Sequence, residues 1–291
     1  MKGTEHWTKK GDLKLFLWHK PAPTAPLGTI LFVHGSSMAS QPTFDLRVPG
    51  RPGSSVMDWF AERGFDTWSL DNEGYGRSDK SRPINCDISN GADDIAAAAE
   101  YIDKKLLIYG ISSGALKAAL FTQRHPQRVA RLALDAFVWT GEGSPTLAER
   151  KKRLPEFIAR NRRPIDRAFV RSIFTRDHPG TADEATVEAF ASAILELDDS
   201  VPTGTYVDMC SKLPLVDPEK IPVPTIVMRG EYDGIAGIDD LLGFFRRLPH
   251  PDKQFSVMAG ISHASFQQKN YLMAYHILHA FFSQPEPLYR G

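Results

Sequence analysis

Short apolar runs alternate along the chain with segments whose apolar residues recur at helical spacing. The runs are rich in branched residues, as buried strands are, and occupy residues 29–33, 65–70, 104–109, 129–134, 223–229 and 254–258. Two earlier strands, around Trp7 and at residues 13–18, predict an antiparallel opening over residues 5–33. Alternating strands and helices predict an α/β fold with a mostly parallel central sheet and helices on both faces.

The pattern changes after the sixth predicted strand, from about Thr140 to Lys220, where we expect helices without strands. Ser144 can cap a helix that starts at Pro145, and Thr181 with Glu184 fits a capping box. We therefore predict a core domain formed by residues 1–139 and 221–291, and a helical cap formed by residues 140–220. Since acidic residues balance them, we expect a solvated face from the basic side chains Arg150, Lys151, Lys152, Arg153, Arg160, Arg162, Arg163, Arg167 and Arg171.

Composition narrows the class of protein. The chain has 291 residues, of which 42% are hydrophobic, and Lys+Arg and Asp+Glu both number 35. This balance gives no reason to expect nucleic acid or an anionic membrane as a partner. No apolar stretch reaches the ~20 residues of a membrane helix, so we expect a cytoplasmic protein that is not bound to a membrane. Cys86 and Cys210 are far apart, and we expect free thiols.

The first chemical signal is the sequence Gly-Ile-Ser-Ser-Gly at residues 110–114, which lies between a predicted strand and a predicted helix. A serine on such a sharp turn adopts a strained backbone and presents its hydroxyl above the sheet. Glycines on both sides allow the helix to fold back over the strand. Ser112 is therefore the candidate nucleophile.

Two later strands end in the groups that a serine nucleophile needs. Asp233 follows the strand at residues 223–229, and His263 follows the strand at residues 254–258. A histidine can accept the serine proton, and a carboxylate can orient the imidazole and stabilise its cation. Because parallel strands end at one edge of the sheet, we expect Ser112, Asp233 and His263 to converge there.

With these motifs in this order, the chain resembles the α/β-hydrolases, in the capped subgroup that includes esterases and carbon–carbon bond hydrolases. The resemblance covers nearly the whole chain, including the His34-Gly35 loop and the turn at residues 71–78. It implies an oxyanion hole from the main-chain N–H of Ser36 or Ser37 together with that of Ser113. Related epoxide hydrolases and dehalogenases carry aspartate where this chain has Ser112, which argues against both activities.

Other residues compete for these roles. Ser113 is a weaker nucleophile candidate, because the two glycines would not flank it in the spacing that the turn requires. Asp135 also ends a strand and is the alternative acid, and Glu231 is a weaker one. His250 precedes its strand, while His276 and His279 lie on the apolar closing helix and are expected to pack rather than bind metal.

The long loop at residues 38–54 is a candidate substrate wall. The glycine-rich sequence at residues 71–78 favours a tight turn over a phosphate-binding loop.

These observations predict a serine hydrolase that acts on a small or medium hydrophobic carboxylic ester through an acyl-serine intermediate. We expect a small-molecule substrate and no metal or organic cofactor. Carbon–carbon, amide and thioester hydrolysis and acyl transfer use the same triad, and a receptor on this fold could retain it, so these alternatives remain open. The sequence leaves the oligomeric state open, including a homodimer.

Overall fold

The protein is described from a computed structural model, in which residues 1–289 are characterised. The strands are β1 (Thr4–Lys10), β2 (Leu13–Lys20), β3 (Gly28–Val33), β4 (Phe65–Leu70), β5 (Leu106–Ile111), β6 (Val129–Asp135), β7 (Arg162–Pro164), β8 (Ser200–Pro202), β9 (Thr225–Gly230) and β10 (Lys253–Met258). Within this range the central sheet has eight strands in the order β1-β2-β4-β3-β5-β6-β9-β10. β2 pairs antiparallel with β1 and β4, and the remaining neighbours are parallel. The predicted fold class is confirmed.

Helices cover both faces of this sheet, and others form the segment between β6 and β9. The helices are α1 (Ser40–Phe44), α2 (Val56–Ala61), α3 (Ile88–Ile102), α4 (Ser113–Arg124), α5 (Pro145–Lys152), α6 (Leu154–Ile158), α7 (Arg167–Thr175), α8 (Glu184–Leu197), α9 (Gly204–Ser211), α10 (Ile238–Arg247) and α11 (Tyr271–Ser283). Leu31 and Val33 of β3 pack with α3 and α4, whereas Ile30 and Phe32 pack with α2 and α11 on the other face. The alternation of side chains along a strand thus explains the continuous apolar run, because both faces are buried. No helix within residues 1–289 is long and apolar enough to cross a membrane.

The antiparallel opening was predicted too broadly. β1 and β2 are antiparallel, but β3 pairs in parallel with β4 and β5 and belongs to the centre of the sheet. The apolar sequence of β3 was the correct signal, because an edge hairpin strand would have kept one polar face.

Residues 140–220 form an inserted segment between β6 and β9. Contrary to the expectation of helices alone, it also contains the two short strands β7 and β8, which pair with each other. Three residues give too short a run for a period-two pattern to be visible in the sequence. Helices α7 and α8 pack through Ile173 and Phe190 against Met38 and Tyr75 at the carboxyl edge of the central sheet. The inserted segment therefore lies beside the loops that follow β3 and β4.

Helix caps were predicted with mixed success. Ser144 caps α5 as predicted, since its side chain accepts a hydrogen bond from the N–H of Leu147. The predicted capping box of Thr181 and Glu184 is wrong, because Asp183 occupies the N-cap position of α8 and Glu184 is the first helical residue. Helix α3 begins after Asp87, whose side chain accepts a hydrogen bond from the N–H of Asn90.

Candidate active site

Ser112 occupies the turn between β5 and α4 with a backbone that non-glycine residues rarely adopt. Its φ is 58° and its ψ is −122°. A Cβ on Gly110 would lie 2.4 Å from the carbonyl oxygen of Gly114, and a Cβ on Gly114 would lie 2.3 Å from that of Val33. The two glycines are thus required for the close approach of β3, β5 and α4. Together they hold the Ser112 side chain at the carboxyl edge of the sheet.

Ser112, His263 and Asp233 form one chain of hydrogen bonds. The Oγ of Ser112 lies 3.0 Å from Nε2 of His263, and the Nδ1 of His263 lies 3.0 Å from Oδ2 of Asp233. These three side chains come from loops after β5, β10 and β9, at distant points of the sequence. A proton on Nδ1 leaves Nε2 free to accept the Ser112 proton, which is the arrangement that general-base catalysis needs.

Asp233 is held in its charged form although it is fully buried. Burial alone would raise the pKa of its carboxyl, but His263 and the main-chain N–H groups of Ile235 and Ala236 lower that pKa to about 2. The carboxylate is therefore ionised at neutral pH and can stabilise a positive charge on the imidazole.

The competing acids and histidines take part in other contacts. Asp135 Oδ2 accepts a hydrogen bond of 2.5 Å from the Tyr109 hydroxyl, and burial raises the pKa of Asp135 to about 7. Glu231 accepts the main-chain N–H of Gly260. His250 Nδ1 accepts the N–H of Asp252 at the opposite edge of the sheet. None of these contacts involves His263.

The histidine pair on α11 packs against an aromatic ring. His276 and His279 lie edge-on to Trp59, with ring centroids 5.4 and 5.6 Å from it. Desolvation lowers the pKa of His279, which favours its neutral form. These contacts agree with the expectation of packing on the closing helix.

The loop after β3 lies against Ser112. A Cβ on Gly35 would lie 3.3 Å from Cβ of Ser112, so the glycine permits this approach. His34 is fully buried, with Nδ1 2.8 Å from the Gly35 carbonyl and Nε2 accepting the N–H of Asn72. Burial lowers the pKa of His34 well below its usual value, so the ring is neutral. Its two hydrogen bonds stabilise the loop. His34 is thus a support for the site.

The three proposed oxyanion donors border the candidate nucleophile. Ser36 and Ser37 line a small cavity together with Ser112 and His263, and Ser113 follows Ser112 as the first residue of α4. Among residues 1–289 the main-chain N–H groups of Ser36, Ser37 and Ser113 donate no hydrogen bond to the protein. They are available to a ligand atom in the cavity.

Sequence reasoning missed a group of side chains from the inserted segment. Arg163 is 7% exposed, and its Nη2 donates a 2.6 Å hydrogen bond to Oγ of Ser37. The hydroxyl of Tyr206 lies 3.4 Å from the same Oγ. The expectation of a solvated basic face is wrong for Arg163, because β7 turns its side chain toward the core. No spacing rule could have identified so short a strand.

Two more arginines of the inserted segment border the same small cavity as the candidate nucleophile. Arg150 and Arg176 line the small cavity of about 10 Å³ beside Ser112 and His263. With Tyr206 they also line a larger cavity of about 790 Å³ within the inserted segment. A cavity of this size can hold a small or medium-sized organic ligand. Arg150, Arg176 and Tyr206 therefore belong to the walls of both cavities.

The long loop at residues 38–54 is tied to the segment that follows His263. Arg51 donates hydrogen bonds to the carbonyls of Phe266 and Gln268, at 3.1 and 2.6 Å, and stacks on the Tyr271 ring. Helix α1 lies inside this loop, and Met38 at its start lines the small cavity. The prediction of a substrate wall agrees with the position of Met38 at the cavity. Arg51 links the end of the same loop to the segment that follows His263.

The turn at residues 71–78 encloses carboxylates, which excludes a phosphate-binding loop. Asp71 accepts the N–H groups of Ser40 and Arg77, and the N–H of Gly76 donates to Asp198. A Cβ on Gly76 would lie 2.1 Å from Asp71 Oδ2. The turn thus fastens the loop after β4 to α1 and the inserted segment.

Comparison with known proteins agrees with this architecture. A family model described as "Serine aminopeptidase, S33" matches residues 25–270. A similar solved structure, of E-2-(acetamidomethylene)succinate hydrolase, is 17% identical with a TM-score of 0.73, covering 97% of this chain and 100% of that one.

Two further solved structures have the same fold. A thioesterase domain from the curacin biosynthetic pathway is 15% identical with a TM-score of 0.70, covering 96% of this chain and 100% of that one. An esterase from Exiguobacterium antarcticum is 16% identical with a TM-score of 0.69, covering 97% and 100%. At these identities the structures show a common fold, and the family match extends over most of the chain. The protein belongs to the α/β-hydrolase family described by the serine aminopeptidase S33 model.

Proposed function

We propose that the protein is a serine hydrolase that cleaves a carboxylic ester through an acyl-serine intermediate. The observation that carries this proposal is the hydrogen-bonded series Ser112, His263 and Asp233, with Ser112 on a strained turn. Family membership supports hydrolysis in general. The ester is the bond we favour, since an alkoxide leaves the tetrahedral intermediate more readily than an amide nitrogen does.

In the proposed acylation step, Ser112 Oγ attacks the ester carbonyl carbon while its proton passes to Nε2 of His263. The carbon–oxygen bond to the alcohol then breaks, and the imidazolium returns the proton to the leaving alkoxide. Asp233 remains ionised and stabilises the imidazolium. The products of this half-reaction are the free alcohol and the acyl-serine.

In the proposed deacylation step, water attacks the acyl carbonyl and gives its proton to His263. The bond to Ser112 Oγ breaks, the proton returns to that oxygen, and the carboxylic acid leaves. In both steps a negative charge develops on the carbonyl oxygen. The N–H groups of Ser113 and of Ser36 or Ser37 are the proposed donors to this oxygen.

The inserted segment at residues 140–220 has the position of a cap in this proposal, over a core of residues 1–139 and 221–291. Its side chains Arg150, Arg163 and Tyr206 border the cavities beside Ser112. Substrate selection would accordingly depend on the cap, and the chemistry on the loops of the core.

Hydrolysis of 4-nitrophenyl acetate, butyrate and octanoate by the wild-type protein and by Ser112→Ala tests the proposal. We expect Ser112→Ala to lose about three orders of magnitude or more in kcat with its circular dichroism unchanged. The chain-length preference reports the size of the acyl pocket. Turnover that persists in folded Ser112→Ala contradicts the assignment.

Covalent labelling separates the two adjacent serines. A fluorophosphonate ester should modify the wild-type protein at Ser112, as identified by mass spectrometry of the proteolytic peptide. Ser113→Ala should still be labelled, because that hydroxyl has no hydrogen-bond partner within residues 1–289 and its main-chain N–H is kept. Ser112→Ala should not react. If Ser112→Ala were labelled at Ser113, Ser113 and not Ser112 would be the nucleophile.

A further inference from the structure

Cationic side chains of the inserted segment line both cavities. The larger cavity is lined by six cationic side chains and only three carboxylates: Arg150, Lys152, Arg153, Arg160, Arg163 and Arg176 against Glu149, Glu156 and Asp177. Arg150 and Arg176 extend from this lining to the small cavity that contains Ser112. Lys152 pairs with Glu149 and Arg153 with Glu156, so the remaining positive charge of this lining lies on Arg150, Arg160, Arg163 and Arg176.

Two arginines on the outer surface of the same segment, which line neither cavity, are paired with acids. Arg167 lies 2.6 Å from Glu188, and Arg171 lies 2.7 Å from Glu184. In contrast, the side chain of Arg150 makes no hydrogen bond or ion pair with any described residue and lies 4.4 Å above the Tyr206 ring. Arg150 therefore differs from these outer arginines in having no carboxylate partner.

Some donors in this lining are both buried and unused. Nε of the buried Arg163 and Nη2 of Arg176 make no hydrogen bond within residues 1–289. Arg176 has one acidic neighbour, Asp177, with Nε 3.5 Å from Oδ1. A buried guanidinium with unsatisfied donors lowers stability unless an anion compensates it. These donors therefore favour a bound anion at this lining.

The positive charge of the same arginines also acts on the hydroxyl of Tyr206. Burial would raise the pKa of its hydroxyl, but Arg150, Arg163 and Arg176 outweigh burial and lower that pKa to about 7. A site that stabilises a phenolate will also stabilise a carboxylate placed at the same point.

We propose that the substrate is an anionic ester whose acyl chain carries a carboxylate, and that Arg150 and Arg176 bind this carboxylate beside Ser112. The inference rests on the proposed hydrolase function and names its substrate class. Guanidinium groups match carboxylates in planar, paired hydrogen bonds. The buried Asp177 in the same lining favours a singly charged group over a phosphate dianion.

The spacer between the carboxylate and the reacting carbonyl is short. Arg150, Arg176, Ser112 and His263 all border one small cavity, and the two arginines also line the larger one. An acyl chain of the succinyl or glutaryl type, with its ester at Ser112, would place its carboxylate at the arginines on the side of the larger cavity. The preferred acyl chain is accordingly a short dicarboxylic acid esterified at one end.

A matched pair of substrates tests this proposal. Mono-4-nitrophenyl glutarate carries the carboxylate, and methyl 4-nitrophenyl glutarate is its neutral analogue with the same reacting ester. After subtraction of the uncatalysed rates, we expect the wild-type kcat/KM to favour the anionic substrate by about tenfold or more. Equal or lower kcat/KM for the anionic substrate overturns the proposal.

Variants assign the preference to the arginines. Arg150→Gln and Arg176→Gln should each lower the ratio of the two kcat/KM values by about tenfold, and Arg150→Lys should restore part of it, since the charge remains. Arg167→Gln is the control, because Arg167 is exposed and paired with Glu188. It removes the same charge from the same segment and should leave the ratio unchanged. A ratio that falls equally in Arg167→Gln points to net charge and overturns the assignment.

Binding to the inactive protein separates this inference from the proposed reaction. Calorimetric titration of folded Ser112→Ala with glutarate should show binding that glutaramide does not show, and Arg150→Gln in the same background should abolish it. If wild type hydrolyses neutral esters but glutarate neither binds nor inhibits, the anion site is wrong and the hydrolase stands. If glutarate binds but no ester is cleaved, the ester assignment fails and the anion site stands.

Discussion

Arg163 of the inserted segment donates a 2.6 Å hydrogen bond to Oγ of Ser37, a residue of the loop that borders the candidate nucleophile. The same guanidinium lies 4.2 Å from the Tyr206 ring centroid and 3.4 Å from the Ser36 carbonyl oxygen. One buried side chain therefore joins the inserted segment to the proposed oxyanion loop. A position fixed in this way gives the loop N–H groups a defined direction before substrate binds.

Arg163→Met should lower kcat for a neutral ester by about tenfold or more, because a charge-assisted hydrogen bond that orients the loop is lost. KM should change less, since the oxyanion forms only in the transition state. Steady-state kinetics with 4-nitrophenyl butyrate measure both. Arg167→Met, on the outer surface of the segment, is the matched control. A loss confined to KM would mean that Arg163 binds substrate and does not position the loop.

Ser112→Gly should be more stable than Ser112→Ala by about 1 kcal/mol, because glycine adopts the positive φ of this turn without strain. Urea unfolding followed by circular dichroism measures the difference. A smaller difference of the opposite sign is expected at the neighbouring Ser113, the first residue of α4, since glycine lowers helix stability relative to alanine. The same sign at both positions would contradict the strain at Ser112.

Asp135→Asn should stabilise the protein at alkaline pH. Burial raises the pKa of Asp135 from 3.8 to about 7, so the folded protein keeps a proton that the unfolded chain loses between these values. The free energy of unfolding therefore falls as pH rises from about 4 to about 7, and the substitution removes this loss. We expect a gain on the order of 2–4 kcal/mol at about pH 8 and little at about pH 4.

Urea unfolding at the two pH values tests this prediction for Asp135. Asn can still accept the hydrogen bond from the Tyr109 hydroxyl, so the packing is retained. Asp103→Asn is the control, since the Asp103 side chain is 84% exposed. A gain that is independent of pH, or that appears equally at Asp103, would argue against a buried carboxyl as the cause.

Tyr206→Phe should remove a pH dependence of anion binding. The Tyr206 hydroxyl, whose pKa is about 7, faces Arg150 of α5, Arg163 of β7 and Arg176 after α7, as well as the Ser37 hydroxyl. Above about pH 7 the phenolate neutralises part of the arginine charge, so glutarate should bind Ser112→Ala more weakly as pH rises through that value. Calorimetry between about pH 6 and 9 measures the dissociation constant.

In the Ser112→Ala/Tyr206→Phe double variant, glutarate affinity should stay nearly constant over the same pH range. Tyr232→Phe, at an exposed ring on the loop before Asp233, is the control and should leave the pH dependence unchanged. A pH dependence that survives Tyr206→Phe would assign the titration to another group.

The amino-acid sequence by itself determined the α/β fold and the three residues that form the hydrogen-bonded series. Apolar runs identify strands that are buried on both faces, because a strand with one wet face needs alternating polar residues. The glycines at 110 and 114 show where a helix must approach two strands. Ser112, Asp233 and His263 could be selected because each follows a strand, and parallel strands end at one edge.

Only the tertiary structure decided which side chains of the inserted segment lie at the small cavity and at the loop beside Ser112. Arg150 and Tyr206 at the cavity and Arg163 at the loop come from α5, α9 and β7, whose relative positions depend on packing between elements and on no periodic pattern. The charge run that contains Arg150 and Arg163 also contains Arg167, which is exposed and paired. Arginines of one charge run thus differ in burial and in their partners. These differences depend on how the elements pack together and cannot be seen in the local sequence.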